Sequence, residues 1–496
     1  MIKFFVDPSG QGKPFPHYWE GCVGSCHAVM GLRSDWRKEL AESHRELGFR
    51  YVRFHGLLDD AMSVCVRESG NSSGDSEGKL RYSFFNIDSI FDFLLSIGMK
   101  PFIELSFMPS ALASGTTTCF FYKANITPPA DYRQWEALIG TLTRHLVDRY
   151  GSMEVRSWFF EIWNEPNLRF FWAGSKEEYF KLYEHAARAI KGVDGRLRVG
   201  GPATSVNAWI PDMLDFCRST GAPIDFVSTH HYPTDDPLWK NGTGTTEEIS
   251  QQSASEFGQY ERGILRKMAG KARDQAGSMP LYYTEWNTSA MFPDVIHDEP
   301  YSAAMIAKTI ADNDGLVEGY SFWTFSDLFE EGGQFAAPFH GGYGLKNIYG
   351  IPKPTYRIFE MLHNTGDLRL PVVGGNGSTV EMLAVRDCSK LSLFAYNHNI
   401  PGAEIRMEEV SIAVKNGIPN APILIARIDQ DNANPKKKWL ELGSPEYPTP
   451  SELAEMEQAS RIATRELDYK ITGEGIILSF LIPPHGVVFL TINGIG

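Results

Sequence analysis

The run WFFEIWNEPNLRFFW (Trp158–Trp172) is followed by SKEEYFKLYEHAARAIKG (Ser175–Gly192) and then by RLRVGGPA (Arg196–Ala203). The first run starts apolar and does not alternate cleanly, as expected of a strand buried on both faces. The second opens with Ser175 and Glu178 at capping-box spacing. It then places Tyr179, Leu182, Tyr183, Ala186 and Ile190 on one helical face. The third reads as another short buried strand. Strand, helix and strand in succession describe a parallel sheet covered by helices.

The same alternation extends outward from about residue 17 to about residue 363. Eight runs read as strands: YWEGCVG, YVRFHG, PFIELS, WFFEIWNE, RLRVGGPA, DFVSTHHY, LYYTEWN and GYSFWTFSD. Helices fill the gaps, for example NIDSIFDFLLSIG, with Ile87, Ile90, Phe91, Leu94 and Leu95 on one face and Gly98 as the stop. Eight such units predict an α/β fold, a closed (β/α)8 TIM barrel. The rival is an open doubly wound sheet, but no Gly-rich phosphate loop follows the first strand. Beyond residue 363 the texture changes to strands without intervening helices, apart from one helix near Ser451 to Arg461. We therefore expect a barrel over residues 15–363 and an appended β-sandwich over residues 364–496. The opening strand, in residues 1–14, is expected to join that sandwich.

The charge balance narrows the partners. The 496 residues carry a formal charge of -14, which disfavours nucleic acid and anionic membrane as ligands. The short basic run Lys436–Lys438 reads as a solvated loop. The six cysteines are scattered, and Cys22 and Cys26 have no second pair to complete a zinc site. Free thiols suit a reducing cytoplasm. No signal-like start and no membrane-length apolar run is seen, which also predicts a cytoplasmic protein.

A barrel of this type carries its site at the carboxyl ends of its strands. The polar residues there are His55, Asp59 and Asp60 after the second strand, and Asn164 and Glu165 after the fourth. The sixth supplies His230, His231 and Tyr232, the seventh Glu285 and Asn287. The eighth supplies Trp323, Ser326, Asp327, Glu330 and Glu331. Glu165 and Glu285 face each other across the barrel mouth. Glycoside hydrolysis needs such a pair, one carboxylic acid to protonate the leaving oxygen and one carboxylate to attack carbon or activate water.

EIWNEPN and YYTEWN look like the acid/base and nucleophile motifs of clan A glycoside hydrolases. RFHGLLDD, PFIELSFMPSALAS, NITPPADY, WNEPNLRFFW, HHYPTD, FWTFSDLFEE and GGYGLKNIYGIPKPTY together resemble glycoside hydrolase family 39, the β-xylosidases. The resemblance implies a retaining mechanism with Glu165 as general acid/base and Glu285 as nucleophile. It implies that Tyr232 hydrogen-bonds the nucleophile, that His230 lies in the active site and that Asn164 contacts the sugar 2-OH. By the same resemblance His55, Glu330 and Glu331 bind sugar hydroxyls and Trp323 walls the pocket, while Phe170, Phe171 or Trp172 could flank the next sugar. Strict alternation would put Asn164 and Glu165 on opposite faces, so the backbone must turn at the strand end.

Glu104 and Glu161 compete for the catalytic roles, but they read better as buried charges satisfied by Arg or His. His230 and His231 could suggest zinc, yet no third ligand has suitable spacing. The expected activity is removal of xylose from the non-reducing ends of xylo-oligosaccharides, with no cofactor and no metal. Alternatives are α-L-arabinofuranosidase, α-L-iduronidase or a non-catalytic carbohydrate-binding protein. For the iduronidase, Glu330 and Glu331 would repel a uronate. The sandwich leaves room for self-association into a homo-oligomer.

Overall fold

The computed structural model describes residues 1–68, 78–235, 260–416 and 419–494. Eight parallel strands close into a barrel. They are β1 (Cys22–His27), β2 (Tyr51–His55), β3 (Lys100–Leu105), β4 (Phe159–Ile162), β5 (Arg198–Thr204), β6 (Phe226–His231), β7 (Leu281–Trp286) and β8 (Gly319–Phe322). Each overlaps one of the eight apolar runs, with β1, β3 and β5 reaching one to three residues beyond theirs. The first strand starts later than its run suggests and continues to His27, because Tyr18–Glu20 forms a 3-10 turn before β1. The helix Lys176–Val193 between β4 and β5 carries both hydrogen bonds of the Ser175–Glu178 capping box.

The barrel interior is layered. At its base Cys22, Phe102, Phe159 and Phe226 pack with Tyr51 and Tyr282. Above this aromatic layer Arg53, Glu104 and Glu161 are fully buried, where charges interact strongly.

Two sheets form the second body. One has five strands, among them Ile2–Val6, which runs parallel to Glu408–Lys415. The other has seven, among them Val380–Arg386 and Lys390–Asn397. Alternation on Val380–Arg386 explains the stacking. Met382 and Ala384 join the core between the sheets, whereas Leu383 and Val385 join the main core of the barrel. The expected loop at Lys436–Lys438 is instead part of a helix, Pro435–Glu441, capped by Asn434. Its lysines are paired with Glu299, Asp431 and Glu441, which offsets the clustering of like charge.

Candidate active site

β2 builds the floor of the site. Its inward positions are Tyr51, Arg53 and His55, one above the other. Arg53 is wholly buried and donates through Nε to Glu161 Oε2 (2.6 Å) and through Nη1 to Glu285 Oε1 (2.7 Å). Its Nη2 donates to Asn164 Oδ1 (2.8 Å) and pairs with Glu104 Oε2 (2.9 Å). Burial pulls the guanidinium toward losing its proton, but Glu161, Glu104 and Glu285 outweigh that and raise its pKa. Burial pushes the Glu161 carboxyl above its usual range against the pull of Arg53. For Glu104 burial is outweighed by His55 and Arg53, and the pKa falls. The difference is His55, whose Nδ1 lies 2.7 Å from Glu104 Oε2. Glu104 and Glu161 are thus the paired structural charges expected of them.

β4 ends at Ile162, and the chain then leaves the strand through two left-handed residues, Trp163 (φ 72°) and Glu165 (φ 42°). Such conformations cost on the order of 1–3 kcal/mol each and must be held by their surroundings. Here the Glu165 N–H donates to the Ala203 carbonyl (2.8 Å) and the Trp163 indole to the Phe171 carbonyl (2.9 Å). The turn brings both Asn164 and Glu165 to the well. Asn164 is buried, and its Nδ2 has no protein partner.

β7 reaches the same point by a different device. Thr229 pairs with Tyr283 and His230 with Glu285, so Thr284 is an extra residue in the ladder. This bulge turns Thr284 and Glu285 to the interior together. Thr284 Oγ1 donates to Glu161 Oε1 (2.8 Å), one layer below the Arg53–Glu285 contact.

The two glutamates meet with a carboxylate oxygen of each within 4.8 Å. That is closer than the roughly 6.5–9.5 Å gap of inverting sites and agrees with the closer spacing of retaining ones. Burial, then the charges of Glu285 and Asp235, raise the Glu165 pKa well above the carboxylate range. One member of the pair is therefore protonated while the other is held by Arg53. Tyr232 Oη donates to Glu285 Oε2 (2.9 Å), and burial keeps the phenol from ionising. His230 Nδ1 lies 2.9 Å from Glu165 Oε1. Burial and the charge of Arg53 hold its pKa well below 6.5, so the ring is neutral.

The remaining expected residues divide. His55 lies on the floor, its Nε2 3.6 Å from both Glu285 Oε1 and Glu331 Oε1. Trp323 covers His55 at 4.6 Å between ring centres. It can approach because residue 24 on β1 is glycine, where a Cβ would meet the Trp323 ring at 2.5 Å. Glu331 is half-buried with its Oε1 shielded from solvent, and desolvation pushes its pKa up to about 8. Glu330 instead pairs with His27 (2.9 Å), which lowers its pKa. The two therefore differ in charge at neutral pH, and repulsion of a uronate cannot rest on Glu331. Trp172 is buried against Trp163, with its indole N–H on the Ser175 carbonyl, and so is packing and not a sugar platform. Phe171 lies 6.2 Å from the His55 ring, and Phe170 is exposed beside it. His231 is also structural, stacked on Tyr283 and bonded to Tyr320 Oη (2.6 Å).

Three residues of the site, Arg53, Thr284 and Phe120, are not among those expected from the sequence. Arg53 had a signal, a lone cation in an apolar strand two residues before His55. Thr284 had none, since ideal alternation would turn either it or Glu285 outward. Phe120 lies in a loop, 6.4 Å from the His55 ring and 5.4 Å from Phe171.

Among the described residues two groups bring three possible metal-ligand atoms within 4.8 Å, Glu165–His230–Glu285 and His17–Glu20–His363. Hydrogen bonds already account for the contacts in both, with His17 Nδ1 2.7 Å and His363 Nδ1 2.9 Å from Glu20 Oε1.

The sequence profile described as Glycosyl hydrolases family 39 matches residues 2–474. The chain is 51% identical over 481 residues to a β-xylosidase of Caldicellulosiruptor saccharolyticus, covering 96% of this chain and 95% of that protein. It is 36% identical over 455 residues to a β-xylosidase of Geobacillus stearothermophilus, covering 90% and 87%. Among solved structures, a monomeric β-xylosidase from Caulobacter crescentus CB15 superposes with a TM-score of 0.85 at 30% identity, with full coverage of both chains.

Proposed function

The chain belongs to glycosyl hydrolase family 39, and from that premise we propose that it is a retaining β-xylosidase acting at the non-reducing ends of xylo-oligosaccharides. The observation that carries this reading is the pair Glu165 and Glu285, close enough to serve one anomeric carbon, with Glu165 raised well above the carboxylate range and Glu285 held by Arg53. Glu165 gives its proton to the glycosidic oxygen as Glu285 attacks carbon from the opposite face. The C–O bond to the leaving sugar breaks and a glycosyl ester on Glu285 forms. With the charge of Glu285 consumed, Glu165 as carboxylate takes a proton from water, whose oxygen then displaces the ester. Arg53 and Tyr232 each hold one oxygen of Glu285, fixing the attacking geometry. Asn164 Nδ2, buried and unpartnered, is available to the sugar 2-OH. His55, Trp323 and Glu331 line the pocket around that sugar, with Glu330 at its rim. We place the enzyme in the cytoplasm, a setting supported by six cysteines that are all unpaired.

A panel of aryl glycosides, followed by NMR of the first anomer released, tests this. β-Xyloside cleavage with β-xylose released first is the expected result. Preference for an α-L-arabinofuranoside or an α-L-iduronide, release of α-xylose, or binding without turnover would each overturn it.

A further inference from the structure

Behind the acid/base pair runs a chain of hydrogen bonds whose direction is set at its far end. Glu161 is ion-paired to Arg53 Nε at 2.6 Å, so its carboxylate accepts and does not donate. Thr284 has one hydroxyl proton and spends it on Glu161 Oε1 (2.8 Å). The threonine oxygen therefore faces His230 Nε2, 3.0 Å away, as an acceptor. A neutral imidazole has one N–H, and here that N–H must be on Nε2. Nδ1 is left with a lone pair, directed at Glu165 Oε1 at 2.9 Å. Two acceptors cannot share that contact, so the proton between them belongs to Glu165.

We propose that Thr284 is a positioning residue that locks His230 in its Nε2–H form, so that the bare Nδ1 holds Glu165 as the loaded acid. This deepens the reading of the site given above and rests on it. In the first half-reaction Glu165 passes its proton to the leaving oxygen, and His230 stays neutral. The carboxylate that remains then faces a lone pair in place of a donor. That makes it a stronger base toward the incoming water, and taking up the water proton restores the resting contact. The other groups facing Glu165 are Glu285 and Asp235, which also favour the proton, Glu331, which does so only once ionised, and Arg53, which opposes it. Those facing His230 are Arg53, His55 and His231, each disfavouring an imidazolium, and Glu285 Oε2 at 3.7 Å. The β7 bulge is what makes the lock available, since it turns Thr284 and Glu285 inward side by side.

Removing the hydroxyl should release the tautomer. In T284V a proton on Nε2 has no acceptor, so it moves to Nδ1 and donates to an ionised Glu165. The test uses the whole chain labelled with 15N-histidine and 13C-glutamate, with His230 and Glu165 signals assigned by their loss in H230Q and E165Q. The expected wild-type result is a protonated Nε2 and a bare Nδ1. In T284V the protonated nitrogen becomes Nδ1, and the Glu165 carboxyl titrates lower by about one pH unit or more. T284S, which keeps the hydroxyl, retains the wild-type tautomer and titration. The alkaline limb of kcat/KM on an aryl β-xyloside moves with the same pattern. A wild-type Nδ1–H, an unmoved Glu165 titration in T284V, or T284S behaving as T284V would each overturn the proposal. Absence of xyloside turnover in the wild type would overturn the functional reading instead, and the NMR titration would still decide the lock.

Discussion

Arg53 Nη1 sits 2.7 Å from Glu285 Oε1, with Arg53 itself wholly buried. The same guanidinium pairs with Glu104 and Glu161, so a single cation organises three buried carboxylates. Removing one partner from a buried ion cluster leaves uncompensated charge, which costs about 3–5 kcal/mol. R53M is expected to lose that much in urea unfolding and more than about 100-fold in kcat/KM, because Glu285 also loses its orientation. An unfolding midpoint equal to the wild type would show that the carboxylates carry protons and do not depend on Arg53.

Glu165 supplies a proton in one step and accepts one in the next. E165A should retain slow glycosylation by aryl xylosides with good leaving groups but stall at hydrolysis of the ester. Added azide needs no general base and enters the space left by the side chain. We expect faster turnover and a β-xylosyl azide product, read by NMR. An α-azide would contradict Glu285 as the residue that holds the sugar.

Tyr232 donates to Glu285 Oε2 at 2.9 Å, and its pKa is raised well above 10 by burial. A hydrogen bond to a charged group contributes about 1.5–3 kcal/mol, or roughly 10- to 100-fold in rate where it stabilises the carboxylate of Glu285 that is released as the glycosyl ester is hydrolysed. Y232F is expected to lose kcat in that range. A loss confined to KM would place the hydroxyl on the substrate and not on the nucleophile.

Glu331 has a folded-state pKa of about 8 against an ordinary value of 4.5, and burial is the first cause. The folded protein thus binds this proton more tightly than the unfolded chain. Its contribution is most favourable below pH 4.5 and is lost as pH rises from 4.5 to 8, at up to about 1.4 kcal/mol per pH unit. E331Q keeps the shape and cannot ionise. Its stability relative to wild type should therefore rise between pH 5 and about pH 8, measured by thermal or urea unfolding across that window. A constant difference across the window would mean that Glu331 titrates normally.

The barrel was legible because each strand is a short apolar run and each intervening segment shows helical spacing, so period alone separates them. Lys436–Lys438 misled because a basic triplet has no apolar face to report a helix. The helix there is carried by Asn434 capping and by tertiary pairing, with Lys436 bonded to Glu299 of another segment. Trp172 misled in the opposite sense. An aromatic after an active-site turn reads equally as platform or packing, and only its burial against Trp163 decides.

Local periodicity and short motifs carried the strand and helix succession, the family and the candidate pair Glu165 and Glu285. Tertiary structure alone decided how far apart those glutamates stand, which of them keeps its proton and what holds the other. Those properties depend on Arg53, His230, Thr284 and Asp235, which are remote along the chain and meet only when the barrel closes. In that buried interior, Coulomb interactions and hydrogen-bond direction act strongly over a few ångströms. The bulge at Thr284 and the left-handed turn at Glu165 then aim side chains where alternation would have turned them away.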